Sequence, residues 1–209
     1  MHTFSGSAMI RAGWETFKKR PWFFVFVFLV LDILSGALAY RGDHNDSNLL
    51  IGAAIAIMYL PFRALIEMGR INILLKAHEG AERVSWKDVW APSPFWKFLL
   101  TLVAYLLIII GGFILLIVPG IVWSLKYMFA PYLVMSRKLG VGEALKESAR
   151  ITNGKKWQLL WFVILLCLVN ILGALCLLVG LLVTIPLTSL AVVHAYRTLE
   201  QQASEPMVA

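Results

Sequence analysis

Asp32 lies about ten residues into an apolar run that begins at Trp22. An ionised carboxylate at hydrocarbon depth costs ~2.5–3.5 kcal/mol, so it must face other protein or take up a proton. Asp32 is therefore the first candidate for chemistry: a proton or cation site, or a partner for a polar headgroup. Asn170 stands at a comparable depth in a later apolar run, and Ile33-Leu34-Ser35-Gly36 after Asp32 resembles Ile171-Leu172-Gly173-Ala174 after Asn170. The two intramembrane polar residues are expected to meet near a bundle axis, where the plainest outcome is an interhelical hydrogen bond worth ~0.6 kcal/mol.

A second set is basic. Arg63, Glu67 and Arg70 are spaced four and three apart, so on a helix they share a face. His194 and Arg197 fall at a similar depth in the last apolar run, and Lys155 and Lys156 immediately precede another. Long cationic side chains at a membrane boundary reach out to the headgroups, and each Lys or Arg near an anionic surface is worth ~1 kcal/mol. An inner-leaflet polar cluster that receives lipid headgroups is the expectation. Enzyme signatures are missing: there is no Gly-x-Ser-x-Gly elbow and no phosphate-loop glycine pattern, and His2, His44, His78 and His194 are scattered without metal-ligand spacing. No catalytic residue, metal or cofactor is expected. Cys167 and Cys176, nine residues apart on one helix, face nearly opposite sides and cannot bridge.

These residues need lipid as the solvent around them. Residues 95–135 carry one charge after Lys97, at Lys126, and are broken by Val118-Pro119-Gly120. One span of a hydrocarbon core ~30 Å thick takes ~20 residues, so this run is two helices joined by a turn at 118–120. With 60% hydrophobic and 15% charged residues in a chain of 209, the protein reads as all-α and polytopic, a single integral membrane domain. Six spans are predicted: 22–40, 49–67, 95–118, 121–135, 157–175 and 179–197. They form three hairpins (22–67, 95–136 and 157–197) with an amphipathic arm (1–21), an elbow (68–94), an amphipathic helix (137–156) and a tail (198–209). Ala37-Leu38-Ala39 has the look of a signal-peptidase site, but the long basic lead-in and Asp32 argue that the first helix is retained.

Of the 19 Lys and Arg, all but Arg41 fall on one side of this topology, and Arg41 has Asp43 and Asp46 beside it. The asymmetry puts both termini in the cytoplasm and explains the net charge of +7 without nucleic acid. Each hairpin has a Trp opening its odd helix (Trp22, Trp96, Trp157) and a Pro in its even helix (Pro61, Pro131, Pro186), the pattern of degenerate repeats. Three lead-ins are predicted as interfacial elbows. The first has Ile10, Trp14 and Phe17 on one face, the second has a capping box at Ser85-Trp86-Lys87-Asp88, and the third has Val141, Ala144, Leu145 and Ser148 on one side. Gly52, Ala53 and Ala56 form a small-residue face, and Gly111-Gly112 allows a bend or a close approach.

The string Val118-Pro119-Gly120-Ile121-Val122, then Phe129-Ala130-Pro131-Tyr132-Leu133-Val134, Leu139 to Ser148 with Glu143-Ala144-Leu145, and Thr152-Asn153-Gly154-Lys155 before Trp157 resembles a known pattern. It is similar to the membrane domain attached to some bacterial glycerophosphoryl diester phosphodiesterases and to the related YciC-type six-helix inner-membrane proteins, over 117–196. Where that family often has an acidic residue after Ala-Pro, Ser136 and Arg137 stand here. The resemblance implies a bacterial inner-membrane protein without the phosphodiesterase domain. The function expected is non-enzymatic binding or organisation of membrane lipids, with anionic lipids as partners and room for a homo-oligomer. The alternatives are a small transporter or channel component using Asp32, and a scaffold for another membrane protein.

Overall fold

Local sequence sets the helix boundaries. α1 (Gly6–Lys19) stops at Arg20, whose backbone leaves the helical region, and Pro21 opens α2 (Pro21–Gly42) where a missing N–H costs no hydrogen bond. There follow α3 (Leu49–Glu79), two 3-10 turns (Ala81–Arg83 and Trp86–Val89), α4 (Phe95–Leu115), α5 (Ile117–Tyr127), α6 (Ala130–Arg137), α7 (Val141–Ile151), α8 (Lys156–Leu175) and α9 (Leu181–Ser204). The computed structural model describes residues 5–42, 49–90, 94–176 and 180–204, without the side chains of 37–42, 49–57 and 83. Among these residues every regular element is helical. The small-residue face at Gly52, Ala53 and Ala56 and the charges at Arg41, Asp43 and Asp46 lie outside what is described.

Among the described residues four stretches are long and apolar enough to cross a membrane: Phe95–Leu115, Ile117–Arg137, Lys156–Leu175 and Leu181–Ser204. Only 22% of the most apolar window of α4, and of α8, is buried within the protein, so most of each helix presents apolar side chains outward. Such a surface suits hydrocarbon and not water. α9 is the spine. Leu187, Leu190, Ala191, Val193, Ala195, Tyr196 and Leu199 are all buried around its circumference, and Phe24, Phe28, Phe98, Phe129 and Phe162 complete the core from α2, α4, the α5–α6 junction and α8.

The bundle has a polar end and an apolar end. At the polar end Arg20 donates to the Val84 carbonyl (2.8 Å), Lys97 to that of Lys138 (3.0 Å) and Arg150 to that of Ala203 (2.9 Å). Trp22, Trp96 and Trp157, in the first turns of α2, α4 and α8, are 84, 71 and 77% exposed at this end, an arrangement suited to a headgroup layer. The other end carries the uncharged, exposed tip Ile114 to Val118.

That tip corrects the expected turn. The chain reverses at Leu116 (φ −172°, ψ 157°) and not at 118–120, so the helices run to Leu115 and from Ile117. The cause is the crossing of Gly112 and Gly120: a Cβ on Gly112 would lie 2.8 Å from the Gly120 Cα, and Leu116 is the residue midway between them. Pro119 then falls in the first turn of α5, where no N–H is needed.

The elbows also differ in detail. On α1 it is Gly13 and Phe17 that are buried, while Trp14 points outward with the Lys18 ammonium 5.8 Å from its ring. A Cβ on Gly13 would stand 2.9 Å from the Ala191 nitrogen, so α1 docks tightly on α9 instead of resting in the interface by Ile10, Trp14 and Phe17 together. In the second elbow the Ser85 N–H donates to the Asp88 carboxylate (2.8 Å), and Lys76 binds the same group, which holds the Asp88 carboxyl below the usual range. On α7 the buried residues are Ala144, Ser148 and Ile151, with Val141 and Leu145 only half-buried. Ser148 donates its hydroxyl to the Lys126 carbonyl (2.9 Å), next to the kink between α5 and α6, where Pro131 has no N–H to offer the preceding turn, while the Thr152 hydroxyl beside it donates back to the Ser148 carbonyl (2.9 Å).

Candidate functional site

α3 supplies one wall of a cavity of about 340 Å³ with Leu60, Arg63, Ala64, Glu67 and Ile71; Leu102 and Tyr105 of α4 and Met128, Pro131 and Tyr132 of the α5–α6 kink supply the other. The helical spacing of Arg63 and Glu67 puts both on the cavity side, as their sequence spacing requires. Arg63 is exposed at the rim and has no hydrogen-bond or ion-pair partner among the described residues. Glu67 is 41% exposed, and its carboxylate stands 3.9 Å from the Arg70 Nε. The Tyr105 hydroxyl donates to the Ser124 carbonyl (3.1 Å), which fixes that ring in the wall.

Arg70 is already occupied. Its guanidinium binds the Asp32 carboxylate and lies over the Phe28 ring at 5.3 Å, tying α3 to α2. The Arg70 Nε is buried without a hydrogen bond. Asp32 thus has a cation as its partner and not Asn170. Asn170 donates to the Thr188 hydroxyl on α9 at 3.3 Å, leaving its own amide oxygen and the nearby Thr184 hydroxyl buried and unpartnered.

The inner-leaflet cluster expected from Arg63, Glu67, Arg70, His194 and Arg197 is divided in two. His194 Nε2 lies 3.0 Å from the Thr16 hydroxyl, and its Nδ1 lies 3.0 Å from the His78 Nδ1. The Thr16 hydroxyl also reaches the Ala12 carbonyl (3.1 Å), so α1, α3 and α9 meet at this histidine pair. Burial lowers the His78 pKa below the ordinary value, Arg197 pushes the same way and Glu79 opposes. Arg197 itself bridges Glu79 (3.3 Å) and Glu200 (3.1 Å); Glu200 also binds Arg137 (2.8 Å) and the Tyr196 hydroxyl (2.8 Å), and Arg137 reaches Glu147 (3.2 Å). This network fastens α3, α6, α7 and α9 at the polar end. Lys155 bonds Gln202, and Lys156 is exposed. Cys167 and Cys176 are free and exposed, and no group of three metal-ligating side chains occurs among the described residues.

What the arrangement can do follows from which charges remain available. Arg70, Arg137, Arg150, Arg197 and Lys155 are engaged by protein, whereas Arg63 is a free cation beside an otherwise largely apolar hollow, with Glu67 one turn along. An amphiphile with a phosphate at one end meets those needs. Tyr105, Met128 and Tyr132, the opposite wall, carried no signal in the sequence, and the His78–His194 pair was hidden by a separation of 116 residues. No family model matches the chain, and neither a curated protein nor a solved structure matches it.

Proposed function

We propose that this is a six-span protein of the bacterial cytoplasmic membrane, with both termini in the cytoplasm, that binds phospholipid headgroups at the cavity beside Arg63. α2 and α3 would supply the two further spans. The carrying observation is the unpaired Arg63 guanidinium at the rim of a cavity of about 340 Å³. A cavity of that size is at the lower end of the ~300–1,000 Å³ range of small-molecule sites, suited to a headgroup and not to two acyl chains. The chains would remain in the bilayer, along the exposed Phe62 and Leu106.

In this reading Asp32 is a positioning residue: it neutralises Arg70 and leaves Arg63 as the cation that meets lipid. Native mass spectrometry of protein gently extracted from membranes tests it. Discrete phospholipid adducts are expected on the wild type, reduced about tenfold in Arg63→Gln, the loss of one charge-assisted contact. Adducts of equal number and strength in the variant would remove the reading.

A further inference from the structure

Resting on that lipid reading, we propose that the cavity selects a zwitterionic headgroup carrying a primary ammonium, that of phosphatidylethanolamine, with Arg63 taking the phosphate and Glu67 the ammonium. The argument starts from a pair that is not made. Arg63 and Glu67 are four residues apart on one face of α3, the spacing at which such side chains commonly pair, yet they form no ion pair with one another. Arg70 engages Glu67 only loosely: its guanidinium is bonded to Asp32, and its Nε stands 3.9 Å from the Glu67 carboxylate, within ion-pair reach but beyond hydrogen-bond range. The rim therefore offers one free cation and one weakly engaged anion whose backbone positions are four residues, about 6 Å, apart along α3, a spacing from which their side chains can reach the phosphate and the ammonium of one ethanolamine headgroup.

The charge sum decides between headgroups. A purely anionic lipid gains from Arg63 and is repelled by Glu67, whereas a phosphate followed by an ammonium satisfies both. An ammonium bearing N–H groups can hydrogen-bond the carboxylate, and a trimethylated one cannot. Choline sites rely instead on a cage of free aromatic faces. Here Tyr132 is packed against Phe129 and Tyr196, and Tyr105 is held to Ser124.

The test uses the full chain in detergent, titrated with phosphatidylethanolamine, phosphatidylglycerol and phosphatidylcholine of identical acyl chains and read by native mass spectrometry. Wild type is expected to retain ethanolamine lipid over the other two, and Glu67→Gln to lose that preference by about tenfold while still binding lipid, the effect of removing one charge-assisted hydrogen bond. Arg63→Gln is expected to weaken all three. Glu67→Gln is isosteric at a position 41% exposed, so the fold should be kept, and an unchanged melting temperature checks this. A wild type that prefers glycerol lipid, or binds choline lipid equally, overturns the inference, as does an unchanged preference in Glu67→Gln; in each case loss of binding in Arg63→Gln leaves the lipid reading standing. Retention of every lipid by Arg63→Gln overturns both.

Discussion

Replacing Asp32 by Asn removes a charge without changing the shape of the side chain, and it strands Arg70. The Arg70 side chain is 19% exposed and that of Asp32 is 39% exposed, so the pair is partly buried. Breaking a fully buried pair from one side costs ~3–5 kcal/mol, and a fully exposed pair is worth ~0–1 kcal/mol; at this burial the expected loss is about 2 kcal/mol. For a chain of this size that corresponds to a melting-temperature drop of about 4–8 °C. The cost should be largely recovered in the double variant Asp32→Asn with Arg70→Gln, because the stranded guanidinium, whose Nε already lacks a hydrogen bond, is the source of the penalty. Denaturation of the four proteins in one detergent gives the coupling directly. Additive losses, or an Asp32→Asn protein within 0.5 kcal/mol of wild type (an error-sized change for an exposed site), would refute the ion-pair reasoning. A pH-dependent flux in liposomes that disappears in Asp32→Asn while stability is unchanged would point instead to Asp32 as a proton site.

Three further outcomes are expected. Gly13→Leu should displace α1 from α9, since the added side chain meets the Ala191 backbone; a loss of about 1–3 kcal/mol is the usual cost of overpacking, and trypsin should cut faster at Lys18 and Lys19. Ser148→Ala leaves the Lys126 carbonyl without its hydroxyl donor and should cost about 1–3 kcal/mol, seen as a lower thermal midpoint. The Arg150 guanidinium bonded to Glu147, helped by Arg137, holds the Glu147 carboxyl below its ordinary value. Its stabilising contribution is therefore complete above the ordinary carboxylate pKa of ~4.3 and lost as pH falls through the depressed value; wild type should exceed Glu147→Gln in stability at neutral pH and converge with it in acid.

The helices were legible because apolar length and helix punctuation are properties of one segment at a time. Pro21 at the start of α2, the Asp88 carboxylate capping Ser85 and the shared face of Arg63 and Glu67 all follow from neighbours in sequence. The errors arose where two segments decide together. The turn moved to Leu116 because Gly112 has to meet Gly120, and α1 turned Gly13 inward because Ala191 was there to receive it. Asp32 chose Arg70, 38 residues away, over Asn170, for a guanidinium compensates a carboxylate at depth far better than an amide does. The far wall of the cavity could not be read at all: a Met or Tyr lining a hollow has the same composition as one packed in a core or facing lipid.

The Lys126 carbonyl gives α7 a mechanical meaning. The Ser148 hydroxyl of α7 holds the backbone two residues before Met128, which with Pro131 and Tyr132 shapes the hollow. A displacement of α7 would therefore be felt by the backbone that leads into the kink, on the side of the hollow opposite Arg63.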